Sequence, residues 1–457
     1  MLNIKELYKM KTIKFIDLFA GLGGIRIGFE NAMKKNGLKS ECVLTSEIKP
    51  YAIKSLEHNF KHNHFAGDIF NIKNEDIPDF DFLLGGFPCQ PFSASGKRLG
   101  FLDTRGTLFF EIERIIRAKN PMGFILENVE GIVKHDLENK TDAIGRTLKT
   151  ILHVLKNELG YKVSWGVFDS LDFGLPQSRK RVFIVGTKDE KIDLTGFEKT
   201  VGIFRDVMET NLPTLNTPFI TKLLAHYSVN ELHGKSIKDK RGGENNIHSW
   251  DIGLKGEITK EQNILLNKLF RARRQKKWAE EIGIEWMDGM PLTLDQIKTF
   301  HHSESLKTIL DDLVNKGYLK LEHPKGMIEE NTIEGIKKYR GYNTDKPKGY
   351  NIVTGKLSFE LNKILDPNDI APTLVATDVS RIAVPDNGGL RRLTIREGLR
   401  LFGYPEGYEI PTNETEAFDL LGNTVAIPVV EAVARRVAEK CVKDFYLTES
   451  LTPVCSA

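Results

Sequence analysis

Phe80-Asp81-Phe82-Leu83-Leu84-Gly85-Gly86-Phe87-Pro88-Cys89-Gln90-Pro91-Phe92-Ser93 is the stretch from which the fold can be read. The run Asp81-Phe82-Leu83-Leu84 has strand length and ends at two glycines. A sheet strand therefore opens there into a loop held clear for a ligand. Cys89 follows between Pro88 and Pro91, so neither a regular helix nor a sheet ladder can claim that backbone. Such a position displays a thiol. Taken alone, Cys89 is better read as a buried structural cysteine beside a turn, because free cysteine is among the most buried residue types. Its company in the chain changes that reading.

Outward from this stretch, Lys14 to Glu190 alternates short apolar strands with amphipathic segments of helix length. Phe15 to Phe19 reads as a strand, Ala20-Gly21-Leu22-Gly23-Gly24 as a tight glycine turn, and Ile25 to Lys34 as a helix with Ile25, Phe29 and Ala32 on one face. Cys42 to Ser46 is the next strand and Pro50 to Asn59 the next helix. Leu108 to Lys119 is a helix, Phe124 to Leu126 lies in a strand, and Ala143 to Leu159 is a longer helix. Val163 to Asp169 and Arg181 to Gly186 read as two further strands. Strands alternating with crossover helices predict an α/β fold with a doubly wound, mainly parallel sheet.

After about Lys188 the pattern becomes irregular, and it stays so to about Ala376. Three segments result: a first domain over 1–188, a second, smaller domain over 189–380, and a return to the first over 381–457. In the middle segment, Glu261 to Glu281 reads as one helix carrying Arg271, Arg273, Arg274, Lys276 and Lys277. Leu294 to Phe300 and Ser305 to Asn315 follow as helices, then a strand from Tyr318 to Glu322. That order resembles a winged-helix unit, a DNA-docking module. A plain helical insertion with solvated charges fits it equally. In the return segment, Thr394 to Phe402 is a helix, and Leu421-Gly422-Asn423-Thr424-Val425 is a glycine turn opening a final helix to about Asp444.

Composition bounds the function only loosely. No apolar run approaches the roughly 18 residues of a membrane helix, and Met1 to Leu7 lacks the features of a secretory signal. A cytoplasmic protein with no membrane partner is expected. Cys42, Cys89, Cys441 and Cys455 stand in no metal-ligand spacing, so reduced thiols and no metal are expected. The formal charge of +3 permits a polyanionic partner without showing one.

Three motifs carry chemistry. In Asp17-Leu18-Phe19-Ala20-Gly21-Leu22-Gly23-Gly24, glycines directly after a strand let the backbone approach a cofactor. Glu47, ending the second strand, is placed to accept from ribose hydroxyls. Asp68, ending the third, could read an adenine amino group. The third glycine of a dinucleotide site is missing, and a purely structural strand–helix turn is the alternative. In Glu127-Asn128-Val129, a carboxylate stands at the carboxyl end of a strand, the edge where open α/β sheets bind ligands. Desolvation there would raise its pKa and let it donate near neutrality; a carboxylate satisfied by helix N-terminal donors is the alternative. In Gln177-Ser178-Arg179-Lys180-Arg181, alternation puts Arg179 and Arg181 on one face, suited to phosphate or carbonyl recognition. A solvated charge run is the alternative.

D-L-F-A-G-L-G-G, G-F-P-C-Q-P-F-S, E-N-V, Q-S-R-K-R and L-G-N-T-V occur in that order in one chain. The set resembles a cytosine-5 DNA methyltransferase of the bacterial restriction–modification type, over roughly residues 12–188 and 390–440. The resemblance implies that Cys89 adds to carbon 6 of the base and that Glu127 contacts N3 and the exocyclic amine. It implies that Arg181 holds the base carbonyl and orients Glu127, with Arg179 in support. It implies S-adenosyl-L-methionine as cofactor and S-adenosyl-L-homocysteine as product. Phe19, Gly21, Leu22 and Gly23 would form the cofactor turn, Glu47 and Ile48 would sit at ribose and adenine, and Asp68 and Ile69 at the adenine edge. Pro88, Leu108, Asn423 and Val425 would complete the pocket.

The implied substrate is double-stranded DNA with the target cytosine swung out of the stack. Gln90, Ser93, Ser95, Lys97 and Arg98 would lie in the segment that closes over it. Residues 189–380 take the place of a target-recognition domain, with Arg271, Arg273 and Arg274 as candidate phosphate contacts. A monomer acting beside a companion restriction endonuclease is implied. A tRNA methylase of the same family shares these motifs, but its relatives have a short recognition segment, so the long one here favours DNA. A dinucleotide oxidoreductase leaves P-C-Q, E-N-V and the arginine pair unexplained, and intact Cys89, Glu127, Arg179 and Arg181 argue against an inactive regulator.

Overall fold

The structure, a computed structural model, describes residues 12–61, 64–88, 108–239, 243, 245–332, 335–354 and 359–449. The strands read near the start of the chain assemble into a 7-stranded sheet. They are β1 (Thr12–Leu18), β2 (Lys39–Ser46), β3 (Phe65–Ala66), β4 (Phe82–Gly86), β5 (Gly123–Val129), β6 (Lys162–Asp169) and β7 (Lys180–Thr187). Their spatial order is β3-β2-β1-β4-β5-β7-β6. β3, β2, β1, β4 and β5 pair in parallel. β7 runs antiparallel to both β5 and β6.

Residue alternation explains why both faces are covered. Leu83, Phe124 and Leu126 belong to one apolar core with Phe109, Ile112 and Ile116 of helix α1 (Leu108–Lys119). Phe82, Leu84 and Ile125 belong to the other, with Phe29 and with Val430 and Val433 of the final helix Ile427–Glu449. Strand neighbours point to opposite faces, so a run such as Phe82-Leu83-Leu84 must be buried on both. The helix Gly24–Lys35 meets the final helix at Gly28, where an added Cβ would come within 2.6 Å of Val430. A side chain there would push the two helices apart.

Three expected elements differ in detail. The helix read from Ala143 begins at Arg146 and widens at His153 into a π-turn, Val154–Glu158. The single helix read over Glu261 to Glu281 is two, Lys260–Ala272 and Lys277–Glu281. The intervening Arg273 is drawn inward, donating to Asn351 Oδ1 at 2.7 Å. Leu421 to Asn423 end a helix, Glu414–Asn423, and the turn proper is Thr424 to Ala426.

The chain divides into two compact units, Met1–Glu209 with Pro367–Ser380 and Leu393–Ala457, and Thr210–Asp366 with Arg381–Arg392. Residues 189–209 and 367–380, expected in the second domain, thus belong with the first, and 381–392 belong with the second. The second unit holds two separate apolar cores. One surrounds a small 5-stranded sheet; the other lies among the helices between Lys260 and Asn315. Among the described residues, no single helix is long and apolar enough to cross a membrane.

Asp17, near the end of β1, is fully buried, and neither carboxylate oxygen meets a hydrogen-bond donor. Burial pushes its pKa up to about 7, against the pull of Arg26. A carboxyl with a raised folded pKa binds more protons folded than unfolded, so the stability present near pH 4 is lost as pH climbs toward 7. Asp17→Asn should flatten urea-unfolding stability across that window. It should exceed the wild type by up to about 4 kcal/mol above it.

Candidate active site

The cofactor side is built on the turn after β1. Phe19, Gly21 and Gly23 all take left-handed backbone, at φ 57°, 56° and 68°. This reverses the chain into the helix that starts at Gly24, which has no side-chain cap. The turn is tied down by Glu47 at the end of β2. Its Oε2 accepts from Gly21 N–H at 2.8 Å, and its Oε1 accepts from Ile48 and Lys49 N–H at 2.8 and 2.9 Å. From behind, the Tyr408 hydroxyl donates to the Leu22 carbonyl at 2.7 Å.

In front of the turn lies a cavity of about 750 Å³. Phe19, Gly21 and Leu22 line one side, with Glu47, Ile48, Asp68 and Ile69 beside them; Pro88, Leu108, Asn423 and Val425 line the rest. Ile48 is 66% exposed and Phe70, also lining the cavity, 50%. Apolar side chains of that size left open at a concave mouth mark a ligand surface. Asp68 accepts from Phe70 N–H at 3.1 Å and so starts the short turn that presents this ring. Phe70 was missed in the sequence because its neighbours Asp68 and Ile69 drew the reading. Gly23 does not line the cavity: its missing side chain admits the Phe60 ring, which an added Cβ would approach to 2.7 Å.

The opposite wall is the carboxyl edge of β4 and β5. Gly86 stands beside Glu127 in the sheet register. A Cβ at Gly86 would come within 3.3 Å of Glu127 Oε2, so glycine there leaves room for the carboxylate. Arg181, at the start of β7, puts Nε 3.0 Å from Glu127 Oε1. Burial raises the Glu127 pKa, opposed by Arg181 and Arg179. Burial lowers the Arg181 pKa, opposed by Glu127. Each group thus opposes, without cancelling, the burial that disfavours the other's charge.

Arg179 is turned elsewhere. It donates to the carbonyls of Leu374 and Gly422 at 2.8 and 3.0 Å and lies over the Phe402 ring. Burial, then Arg181, pushes its pKa down to about 9. Gln177 acts with it, accepting from Leu374 N–H at 3.0 Å and donating to Leu401 O at 3.1 Å. Q-S-R thus fastens the returning chain around residues 371–374 to the sheet. Asn128 donates to the Phe87 carbonyl at 2.8 Å and so holds the backbone just past the end of β4. Its place between Glu127 and Val129 was the available signal for this role.

Cys89, Gln90, Ser93, Ser95, Lys97 and Arg98 lie outside the described residues. The basic run of the second unit proves mixed. Arg271 is exposed. Arg274 is 3.4 Å from Asp288 and stacks over Phe270. Arg273 is buried, and its guanidinium also lies over Phe270. An inward arginine is closed to a phosphate, which corrects the expectation for Arg273: the helix ends where its side chain enters the core.

Arg179→Ala would strip a charge-assisted donor from two buried carbonyls at once. A stability loss of about 3 kcal/mol in chemical unfolding is expected.

The chain is similar to known proteins over most of its length. The family profile described as C-5 cytosine-specific DNA methylase matches residues 13–439. Type II methyltransferase M.NlaIV of Neisseria lactamica is 57% identical over 428 residues, covering 93% of this chain and 99% of that protein. Type II methyltransferase M.NgoBV of Neisseria gonorrhoeae is 55% identical, covering 93% and 99%. Type II methyltransferase M.BanI of Aneurinibacillus aneurinilyticus is 40% identical, covering 95% and 97%. A match of this length takes in the glycine turn, the Glu127–Arg181 pair and the second unit together, and by it the chain belongs to the C-5 cytosine-specific DNA methylases.

Proposed function

We propose that this DNA cytosine-5 methyltransferase uses S-adenosylmethionine as donor, with S-adenosylhomocysteine as product, and acts on a cytosine swung out of a specific duplex sequence. The observation that carries the reading is the buried carboxylate of Glu127, gripped by Arg181 at 3.0 Å on the wall of a cavity floored by a left-handed glycine turn. The relatives, named as Type II methyltransferases, favour DNA over tRNA as substrate.

The cavity suits the donor. A Cβ on Gly21 would project into open space that a ligand can fill. Ile48 and Phe70 offer apolar surface to a purine. A carboxylate has about four lone-pair sites. Glu47 uses three on backbone N–H groups, which leaves Oε2 able to accept from a ribose hydroxyl. When bound, S-adenosylmethionine supplies an electrophilic methyl group that carbon 5 of the base accepts.

Carbon 5 of cytosine is a poor nucleophile, and the protein must push electrons into the ring. Cys89 does so as a thiolate, adding to carbon 6. Negative charge then builds toward N3 and the carbonyl. Glu127, its pKa raised by burial, donates a proton or hydrogen bond at N3 and accepts from the exocyclic amine. Arg181 holds the other side of Glu127 and meets the base carbonyl. A solvent base then takes the carbon 5 proton, the electron pair of that bond re-forms the carbon 5–carbon 6 double bond, and the carbon 6–sulfur bond breaks to release Cys89 as thiolate. Asn128 holds the Phe87 carbonyl, two residues before Cys89 in the sequence.

Gln90, Ser93, Ser95, Lys97 and Arg98 close over the DNA and shield the reaction from water. The second unit supplies target recognition. The enzyme works as a monomer, since one extruded base needs one site, and protects host DNA from a companion restriction endonuclease.

The direct test incubates purified protein with S-adenosylmethionine and mixed duplex DNA and maps 5-methylcytosine by bisulfite sequencing; no 5-methylcytosine would refute the reading. Cys89→Ser should abolish transfer while duplex binding persists, and 5-fluorocytosine at the target should trap a covalent adduct through Cys89. Turnover by Cys89→Ser at the wild-type rate would remove the nucleophile assignment. Glu127→Gln should lower kcat by about 10² to 10⁴, as expected for loss of a general acid.

A further inference from the structure

Part of the second unit has a topology that its sequence only suggested. A helix, Lys260–Ala272, is followed by a single bridge residue, Leu292, then by the helices Leu294–Lys298 and Leu306–Asn315. A strand, Leu319–Glu322, leads into a long hairpin, Lys325–Thr332 with Gly335–Tyr342, and the chain returns as the strand Gly349–Ile352. That last strand is central, pairing antiparallel with Leu319–Glu322 and bridging to Leu292. Leu265, Leu269, Ile297, Leu310, Tyr318 and Ile352 share one apolar core, distinct from that of the neighbouring small sheet. Three of its helices, a three-part antiparallel sheet and a hairpin between its last two strands follow the order of a winged helix in which the hairpin is the wing; the short helix Lys277–Glu281 is an addition that packs Trp278 and Ala279 into the same core.

What the module leaves outside is chemically uneven. On the helix Leu306–Asn315, the residues Leu306, Leu310 and Leu313 face the core, while Ser305, Lys307 and Thr308 are exposed at its first turn. The acidic residues further along are already engaged. Asp311 accepts from the Tyr350 hydroxyl at 2.9 Å and pairs with Lys307, and Asp312 pairs with Lys316 at 2.7 Å. The wing exposes Met327, Tyr339 and Tyr342, each close to half accessible. Lys325 sits 4.9 Å from the Tyr342 ring centre, and exposed Arg340 is cross-strand from Met327. Its second strand, Gly-Ile-Lys-Lys-Tyr-Arg-Gly-Tyr, contains three cations; Lys337 and Lys338 stand cross-strand from Glu330 and Glu329, whereas Arg340 has no acid opposite it. Aromatic rings and cations left together on a projecting hairpin match a polyanion that offers phosphates beside flat bases and sugars.

We infer that this winged helix, spanning residues 260–352, is the DNA-docking element of the second unit: Arg340 on the wing meets backbone phosphate, and Thr308 in the first turn of the Leu306–Asn315 helix meets base edges. The inference rests on the activity proposed above and narrows it. It moves the docking face away from Arg273, which is buried, and Arg274, which lies beside Asp288, while Arg271 stays exposed.

The test uses the full chain and fluorescence anisotropy. With a random-sequence duplex, Arg340→Ala should weaken binding about tenfold and reduce the slope of log K against log salt by about 1, and Arg340→Lys should recover most of the affinity. This arm needs no turnover, so its failure is separable from failure of the methylation assay. With the duplex located by bisulfite sequencing, Thr308→Ala should lose about tenfold for that target and little for a scrambled one. Both variants should keep the wild-type melting temperature, because the altered side chains are exposed. Wild-type affinity, salt slope and discrimination in both variants, beside a wild type that methylates, would overturn the docking face and leave the activity standing.

Discussion

A carboxylate and a guanidinium, 3.0 Å apart and largely shut away from water, are the constraint around which the first unit is arranged. Neither charge is tolerable there alone. Burial drives the Glu127 pKa up and the Arg181 pKa down, and their proximity is the largest influence opposing each shift. The two residues come from strands whose ends must therefore coincide. β5 ends at the edge where ligands bind, and β7 begins there because it runs the opposite way, pairing Val129 with Arg181. A seventh strand laid parallel would have carried Arg181 to the far edge of the sheet.

The other half of the site meets this edge across the crevice of the sheet. Strand order steps from β1 outward on one side through β2 and β3, and on the other through β4 and β5, so the carboxyl ends of β1 and β4 stand at the switch point where open α/β sheets form a crevice. Glu47 ties the turn after β1 by accepting from Gly21 N–H, and Asn128 holds the Phe87 carbonyl just past β4. Both are side chains fixing main chain at the cavity wall.

Arg179 shows how the same motif serves two ends. Its neighbour Arg181 turns toward Glu127, while Arg179 donates to two carbonyls on segments nearly two hundred or more residues away in sequence. With Gln177 it fixes the chain where it comes back to the first unit. Gly422 allows the close approach, since an added Cβ there would lie 2.1 Å from the backbone nitrogen of Ala376. In the second unit, two separate apolar cores divide the work differently, one around a small sheet and one around the winged helix. An element with its own core can present an exposed, charged wing without weakening the packing of its neighbour.

Local physics was enough for much of this. Phe82-Leu83-Leu84 had to be a strand buried on both faces, the glycines after Leu18 had to turn, and Glu127 had to end a strand at the ligand edge; such features follow from periodicity and backbone freedom within a few residues. The order of motifs along the chain carried the family. Long-range placement was out of reach. Nothing within Gln177 to Arg181 says that β7 is reversed or that Arg179 would donate to Leu374 and Gly422, and nothing beside Arg273 says that it would leave its helix for Asn351. The two arginines were directed by partners 78 to 243 residues distant. A charged side chain is directed by whichever buried acceptor it can reach, and that acceptor exists only once the chain has folded.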